Sequence, residues 1–315
     1  MNSEFSWDRA TAQSDMAYWI FFSLCMIWGT NFILMKKATL WFDPATVGML
    51  RMLGGVAFLA AAQWWTRSTW SISRKDAWAI SFVGLFGYAF PFLAQPVLIT
   101  RCDSGFIAMM VSFVPLLTIV ASIPMLGVYP TARQLLGVIG GLVCLLVIIK
   151  DGLDRDVTIG NFALAFSVPL VYTICNTFIK RRFAGYAPLP LALSCLSIAL
   201  VVTLPYGSYQ PIADGAQTAD RSLAIASVLI LGVFGTGWGA YGFTRLLQDK
   251  GPLFASMITY LIPTIALVWS WVDNERITVL QVVALAGVLS MVYVVQAEPE
   301  RSGDAGPLGH SGPAS

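Results

Sequence analysis

Apolar residues along this chain gather into runs of about 20, and polar residues fall between the runs rather than inside them. At about 1.5 Å of rise per residue, one such run crosses a hydrocarbon core roughly 30 Å thick as a helix. The pattern predicts spans at approximately 16–36, 45–65, 77–99, 104–124, 131–150, 159–180, 188–206, 222–246, 252–272 and 278–296. The ten-residue alternation of an outer-membrane barrel is missing from it. Because a bilayer offers backbone groups no water, the expected fold is an all-α integral membrane protein of ten transmembrane helices.

The pattern also repeats. Ser104 to Val128 and Gly251 to Arg276 each carry a proline roughly a dozen positions in: Pro115 in SFVPLLTIV and Pro263 in YLIPTIALV. A second apolar stretch comes after each, QLLGVIGGLVCLLVII from Gln134 and QVVALAGVLSMVYVV from Gln281. A period of half the chain predicts two copies of one five-helix unit. The expected organisation is a cytoplasmic N-terminal segment (1–15), a first repeat (16–150), a connecting loop (151–158), a second repeat (159–296) and a tail (297–315). An odd number of spans separates equivalent positions, so the repeats are expected to be inverted. The tail is rich in Gly, Pro and Ser and is read as disordered.

Composition fits this picture, with 57% hydrophobic and 11% charged residues against roughly 25% charged in an ordinary soluble domain. The net charge of +2 matters less than where Lys and Arg fall. With both termini cytoplasmic, eleven of them lie inside and seven outside, Arg51 sitting within a helix. The expected location is the cell's inner (plasma) membrane. Met1 to Asp15 is polar and acidic, which argues against a cleaved signal peptide and makes the first span its own insertion signal. The cysteines 25, 102, 144, 175 and 195 lack CxxC spacing and read as small apolar packers; the single histidine, His310, lies in the tail.

Polar groups inside the spans supply the candidate chemistry. In the first, Trp28, Asn31 and Met35 share a helical face, and the sixth mirrors it with Tyr172, Cys175, Asn176 and Ile179. A mid-membrane amide either bonds to a neighbouring helix or lines a wet cavity. Arg51 is a site candidate by default, although snorkelling or a structural role is the favoured reading. The third span combines Pro91 and Pro96 with Tyr88, Phe92 and Gln95 on one face; its prolines free backbone carbonyls. Ser112 lies beside Pro115. The eighth is dense in glycine, which means tight packing or room beside Trp238, Tyr241 and Arg245. The ninth places Ser256, Thr259, Tyr260 and Pro263 near mid-membrane. Substrate contact is expected from Trp28, Asn31, Tyr88, Gln95, Ser112, Tyr172, Asn176, Trp238, Tyr241, Thr259 and Tyr260. Arg51, Pro115, Pro263 and Glu275 are assigned structural or gating roles.

The second half, from LLQDKGPLFASMITYLIPTIALVWSWVDNERITVLQVVALAGVL, resembles the EamA domain of the drug/metabolite transporter superfamily. The YLIP turn and the Asn274, Glu275, Arg276 element before the last span carry the likeness. In the first half WGTNF from Trp28, LRML from Leu50 and the Pro115 helix match as well. The resemblance covers residues 17 to 296 and implies ten helices in two inverted five-helix repeats around a central cavity. The family's glutamate before the fifth span is replaced by Val128, which points to a structural role for Glu275, holding helix ends.

Apart from Arg51, the inferred helix cores contain no Asp, Glu, Lys or His, and Asp103, Asp249 and Glu275 sit at helix ends, so facilitated transport or exchange is expected, or a weak coupling through an end carboxylate. Amides, hydroxyls and aromatics suit a small neutral or zwitterionic solute with an apolar part. A phosphorylated solute would need Lys or Arg in the cavity, and the pairs Lys36/Lys37 and Lys180/Arg181 read as lying at its mouths. The resemblance favours export of amino acids or related metabolites by alternating access. The expected partners are that solute and membrane lipid, with no nucleic acid, no metal or cofactor, and a monomer or weak dimer. An intramembrane enzyme would need a nucleophile with a base, or acidic or histidine ligands, inside the bilayer. A receptor or scaffold is the remaining alternative, and solute flux into proteoliposomes separates the three.

Overall fold

The computed structural model describes residues 4–68, 73–127, 129, 131–153, 157–209, 212–213 and 220–296. Val128 and the tail 297–315 lie outside them, as does part of the predicted connecting loop. Among the described residues eight helices are long and apolar enough to cross a membrane: Met16–Thr39 (α1), Pro44–Thr66 (α2), Arg74–Ile99 (α3), Ser104–Leu126 (α4), Ile159–Phe183 (α6), Pro188–Gly207 (α7), Arg221–Lys250 (α8) and Phe254–Val272 (α9). Between and after them lie Ala132–Leu153 (α5) and Val279–Gln296 (α10), whose apolar stretches, Leu135–Ile148 and Val279–Met291, are shorter. The first helix is continuous back to Glu4, ahead of the boundary at 16 that hydropathy suggested.

Local chemistry sets the ends. Pro44 opens α2 at a position where a missing N–H costs nothing, and the Asp43 carboxylate accepts from Ala45 N at 2.9 Å. Thr158 accepts from Asn161 N to start α6, and Asp220 caps α8 through Ser222 N and Leu223 N. Gly127, at φ 69°, closes α4 in the left-handed conformation that glycine adopts without strain.

Contacts sort the helix ends into two groups. At one, the end of α1 meets the end of α9 through Lys36 and Asp273, the start of α4 meets Glu275, and Arg101 after α3 reaches Asn161 of α6. Thr46 in the first turns of α2 donates to Gly207 O at the end of α7, 2.6 Å. At the other, Asp76 at the start of α3 meets Arg182 at the end of α6, and Gln248 near the end of α8 donates to Phe183 O and Tyr186 O. Successive helices therefore alternate in direction, and α6 runs opposite to α1.

Two helices widen midway. Val83–Ala89 in α3 and Leu231–Trp238 in α8 are π-helical turns. In α3 the cause is Pro91: it has no N–H for the Gly87 carbonyl and its ring pushes that carbonyl away, a defect that a wider turn absorbs. No proline lies in α8; there the turn is glycine-rich and one of its carbonyls is bonded by another helix. Gly232 lies against Gly54 of α2, where a Cβ on Gly232 would sit 3.0 Å from Gly54 Cα. Only a pair of glycines allows main chains to come that near.

The fourth and ninth helices are interrupted. The break in α4 falls at Ser112 and Phe113, just ahead of Pro115, which opens the second segment Val114–Leu126. In α9 the break is at Met257, and Pro263 lies inside the continuing helix Ile258–Val272. Pro263 thus does not mark its break as Pro115 does.

Candidate functional site

A cavity of about 860 Å3, including its open part, lies where the wide turns and broken helices converge. Its wall takes Trp28, Asn31 and Met35 from α1, Arg51 from α2, Gly87, Tyr88, Phe92 and Gln95 from α3, and Val111 and Val114 from α4. From the second half come Tyr172, Cys175, Asn176 and Ile179 of α6, Gly235, Ala240 and Phe243 of α8, and Thr259 and Ile262 of α9. The lining is that of a small-molecule site: mostly apolar, with a few placed polar groups.

The wide turn of α8 organises one side of it. In that turn the Gly239 N–H bonds back to Phe234 O, leaving Gly235 O to accept from the Trp28 indole at 3.0 Å. The next residue, Thr236, accepts from Arg51 Nε at 3.1 Å. Asn31 packs on Gly235, where a Cβ would come within 2.5 Å of its Oδ1. That Oδ1 is buried and has no hydrogen-bond partner, the state in which a polar group costs most. Tyr172 of α6 faces both Arg51 and Gln95.

Seven of the residues expected to contact substrate line the cavity: Trp28, Asn31, Tyr88, Gln95, Tyr172, Asn176 and Thr259. Four do not. Ser112 is buried and donates to Met109 O of its own helix, 2.6 Å, so its proton is engaged where α4 breaks. Trp238 turns away to donate to Ser23 Oγ at 3.2 Å, and Tyr241 accepts from Arg245 at 3.1 Å. Tyr260 is packed in the hydrophobic core. Shared helical faces were visible in the sequence; the wide turn rotates the residues beyond it, and no periodicity reports that.

Arg51 differs most from expectation. It is only 2% exposed and lies over the Phe92 ring at 4.0 Å from guanidinium carbon to centroid, so it cannot snorkel, and it belongs to the cavity wall. Phe32 and Phe243 carried no signal, being apolar residues on apolar helices, whereas Met35 and Cys175 lie on the faces that Asn31 and Asn176 had marked.

At one end of the bundle Lys36 bridges Asp273 and Glu275, each at 2.6 Å, and Lys37 pairs with Asp273. Ser104 Oγ donates to Glu275 at 2.7 Å. Burial pushes the Glu275 carboxyl up, but hydrogen bonds from Lys36, Ser104 and Ser270 outweigh it and hold the group below the usual glutamate range. Asp273 is likewise held low against burial by Lys36 and Lys37. At the other end Lys180 donates to the carbonyl of Gln248, 2.6 Å, while Asp76 takes Arg182 and the Tyr186 hydroxyl. Among the described residues no group of three or more His, Cys, Asp or Glu is placed to hold a metal ion.

Comparison with known proteins agrees with this architecture. The model of the EamA-like transporter family matches twice, over residues 15–150 and 160–296. The chain is 23% identical over 283 residues to an uncharacterized transporter of Archaeoglobus fulgidus, covering 89% of this chain and 99% of that one. It is 22% identical to protein PagO of Salmonella typhimurium, over 78% of this chain and 81% of PagO. The uncharacterized transporter YvbV of Bacillus subtilis is 23% identical over 85% of this chain and 87% of its own. A solved crystal structure superposes with a TM-score of 0.67 at 20% identity, over 90% of this chain and 98% of its own.

Proposed function

Because the chain belongs to the EamA-like transporter family, a multi-pass membrane family, we propose that it carries a small polar metabolite across the membrane through the central cavity, by alternating access between two inverted five-helix repeats. The observation that carries this is the cavity itself: a mid-chain, largely apolar space walled by both halves, with amides and hydroxyls in its lining. Such a wall suits a solute with an apolar part and a polar or zwitterionic head, an amino acid or related compound, and the direction we favour is export. In this reading ten spans cross the inner membrane with both termini cytoplasmic, α5 and α10 included. The Lys36 mouth then faces outward and the Lys180 mouth faces the cytoplasm. The repeats correspond to 16–150 and 159–296, and the protein works as a monomer or weak dimer.

The test is counterflow in proteoliposomes. Vesicles preloaded with a candidate solute should accumulate the labelled form through the purified protein, and Gln95→Leu should cut that uptake by about tenfold to a hundredfold while leaving membrane insertion intact. Uptake that never exceeds empty vesicles across amino acids and related metabolites would remove the transport reading. A reporter fused after Glu298 and another in 151–158 test the orientation, since they must read inside and outside respectively.

A further inference from the structure

Arg51 is a cation walled into an apolar cavity without an anion. The ion pairs among the described residues do not include it. Its one hydrogen-bonded oxygen among the described residues is the Thr236 hydroxyl, 3.1 Å from Nε, with the neutral Tyr172 hydroxyl facing it; one terminal nitrogen reaches the Met35 sulfur at 3.2 Å, a weak acceptor, and Phe92 closes one face of the guanidinium. Burying an unpaired charge is costly, and a planar fork with free N–H groups matches a carboxylate bidentately. Beside it, on the residue preceding Thr236, rests the amide of Asn31, whose Oδ1 is an unpartnered acceptor 6% exposed at residue level.

We propose that Arg51 is the anchor for a carboxylate on the transported solute, and that Asn31 accepts a hydrogen bond from a donor group, such as an ammonium, on the same solute. This rests on the transport reading above and narrows its substrate class. One cation suits one negative charge. Lys36 and Lys37 are engaged by Asp273 and Glu275, and Lys180 by a carbonyl, so a phosphate dianion would find no second cation in the wall. Phe92 stacks on the guanidinium and holds its plane, while the hydrogen bond to Thr236 fixes its direction.

The experiment measures binding to purified protein with matched pairs: L-leucine, L-phenylalanine and L-methionine, each against its carboxamide and its decarboxylated amine. At least one amino acid should bind at least tenfold more tightly than its carboxamide. Arg51→Met should erase that preference and Arg51→Lys should keep part of it. Thr236→Val, which leaves the charge but removes its guide, should weaken the acid several-fold and the carboxamide little. Equal binding of acid and carboxamide by the unaltered protein overturns the anchor without any variant needing to fold, and so does the failure of all three acids to bind. An acid that binds with the preference but is not moved into proteoliposomes leaves the anchor standing and removes the transport reading instead.

Discussion

The wide turns of α3 and α8 occupy corresponding places in the two halves of the molecule, yet only one of them holds a charge. Gly84 and Gly87 in α3 correspond to Gly232 and Gly235 in α8, each pair 148 residues apart. A Cβ on Gly84 would meet Cys195 O at 2.7 Å, and one on Gly232 would meet Arg51 O at 3.4 Å. Cys195 is therefore the counterpart of Arg51, 144 residues on. Likewise Gly87 faces Cys175 where Gly235 faces Asn31. The counterpart of Asn31 is thus Cys175, and Asn176 answers to Phe32; the two amides share the cavity but not a position. The backbone is duplicated and the chemistry is not, as a pseudo-symmetric pair of walls would need in order to bind an asymmetric solute.

The largest effect should come from the features the halves share. Gly232→Leu drives a side chain into the Gly54 main chain, which cannot yield, and over-packing of this kind costs about 1–3 kcal/mol or more. Its counterpart Gly84→Leu meets the Cys195 carbonyl in the same way. Both variants should lose most of their folded yield, measured by size-exclusion in detergent; tolerance of one alone would break the correspondence.

Next come the features they do not share. Gly235→Ala places a methyl 2.5 Å from the Asn31 amide, whereas Gly87→Ala places one 3.2 Å from Cys175 Cβ. The first should lower transport by about tenfold or more, while the second stays within a few-fold. Equal losses in counterflow assays would mean that the walls act alike.

The charged clusters at the two ends of the bundle sharpen the contrast by pH. Glu275 and Asp273 titrate below their ordinary values, so their ion pairs stabilise the fold above the ordinary carboxylate range. That contribution is lost as pH falls below the ordinary carboxylate range and through the depressed values. The melting temperature should drop over that window, and Glu275→Gln should lower it at neutral pH and flatten the dependence, a loss of about 1–2 kcal/mol for a half-buried charged hydrogen bond. A Glu275→Gln profile parallel to that of the unaltered protein would show that the cluster is a bystander.

The smallest effect belongs to Cys195→Ala. Losing one buried sulfur should cost about 1 kcal/mol or less and leave transport unchanged, against the loss expected at its counterpart Arg51. A transport defect at Cys195 would give the second wall a role that its chemistry does not suggest.

The run length of apolar residues determined the helices by itself, because a hydrocarbon core admits little else, and the two prolines at like positions in like contexts disclosed the repeat. Most of the polar cavity lining was legible for the same reason: Asn31, Gln95 and Asn176 are amides in helices that have no other use for them. Three things were decided only by tertiary structure. Trp238, Tyr241 and Tyr260 left the cavity because the wide turn in α8 and the break at Met257 rotate the faces that a regular 100° periodicity projects. That Asn31 answers to Cys175 and not to Asn176 shows only when each is packed against its glycine. Arg51 became part of the cavity wall because Gly54 and Gly232 draw α2 and α8 so close that its side chain has no path to the membrane surface, and a charge that cannot reach water must be answered from inside.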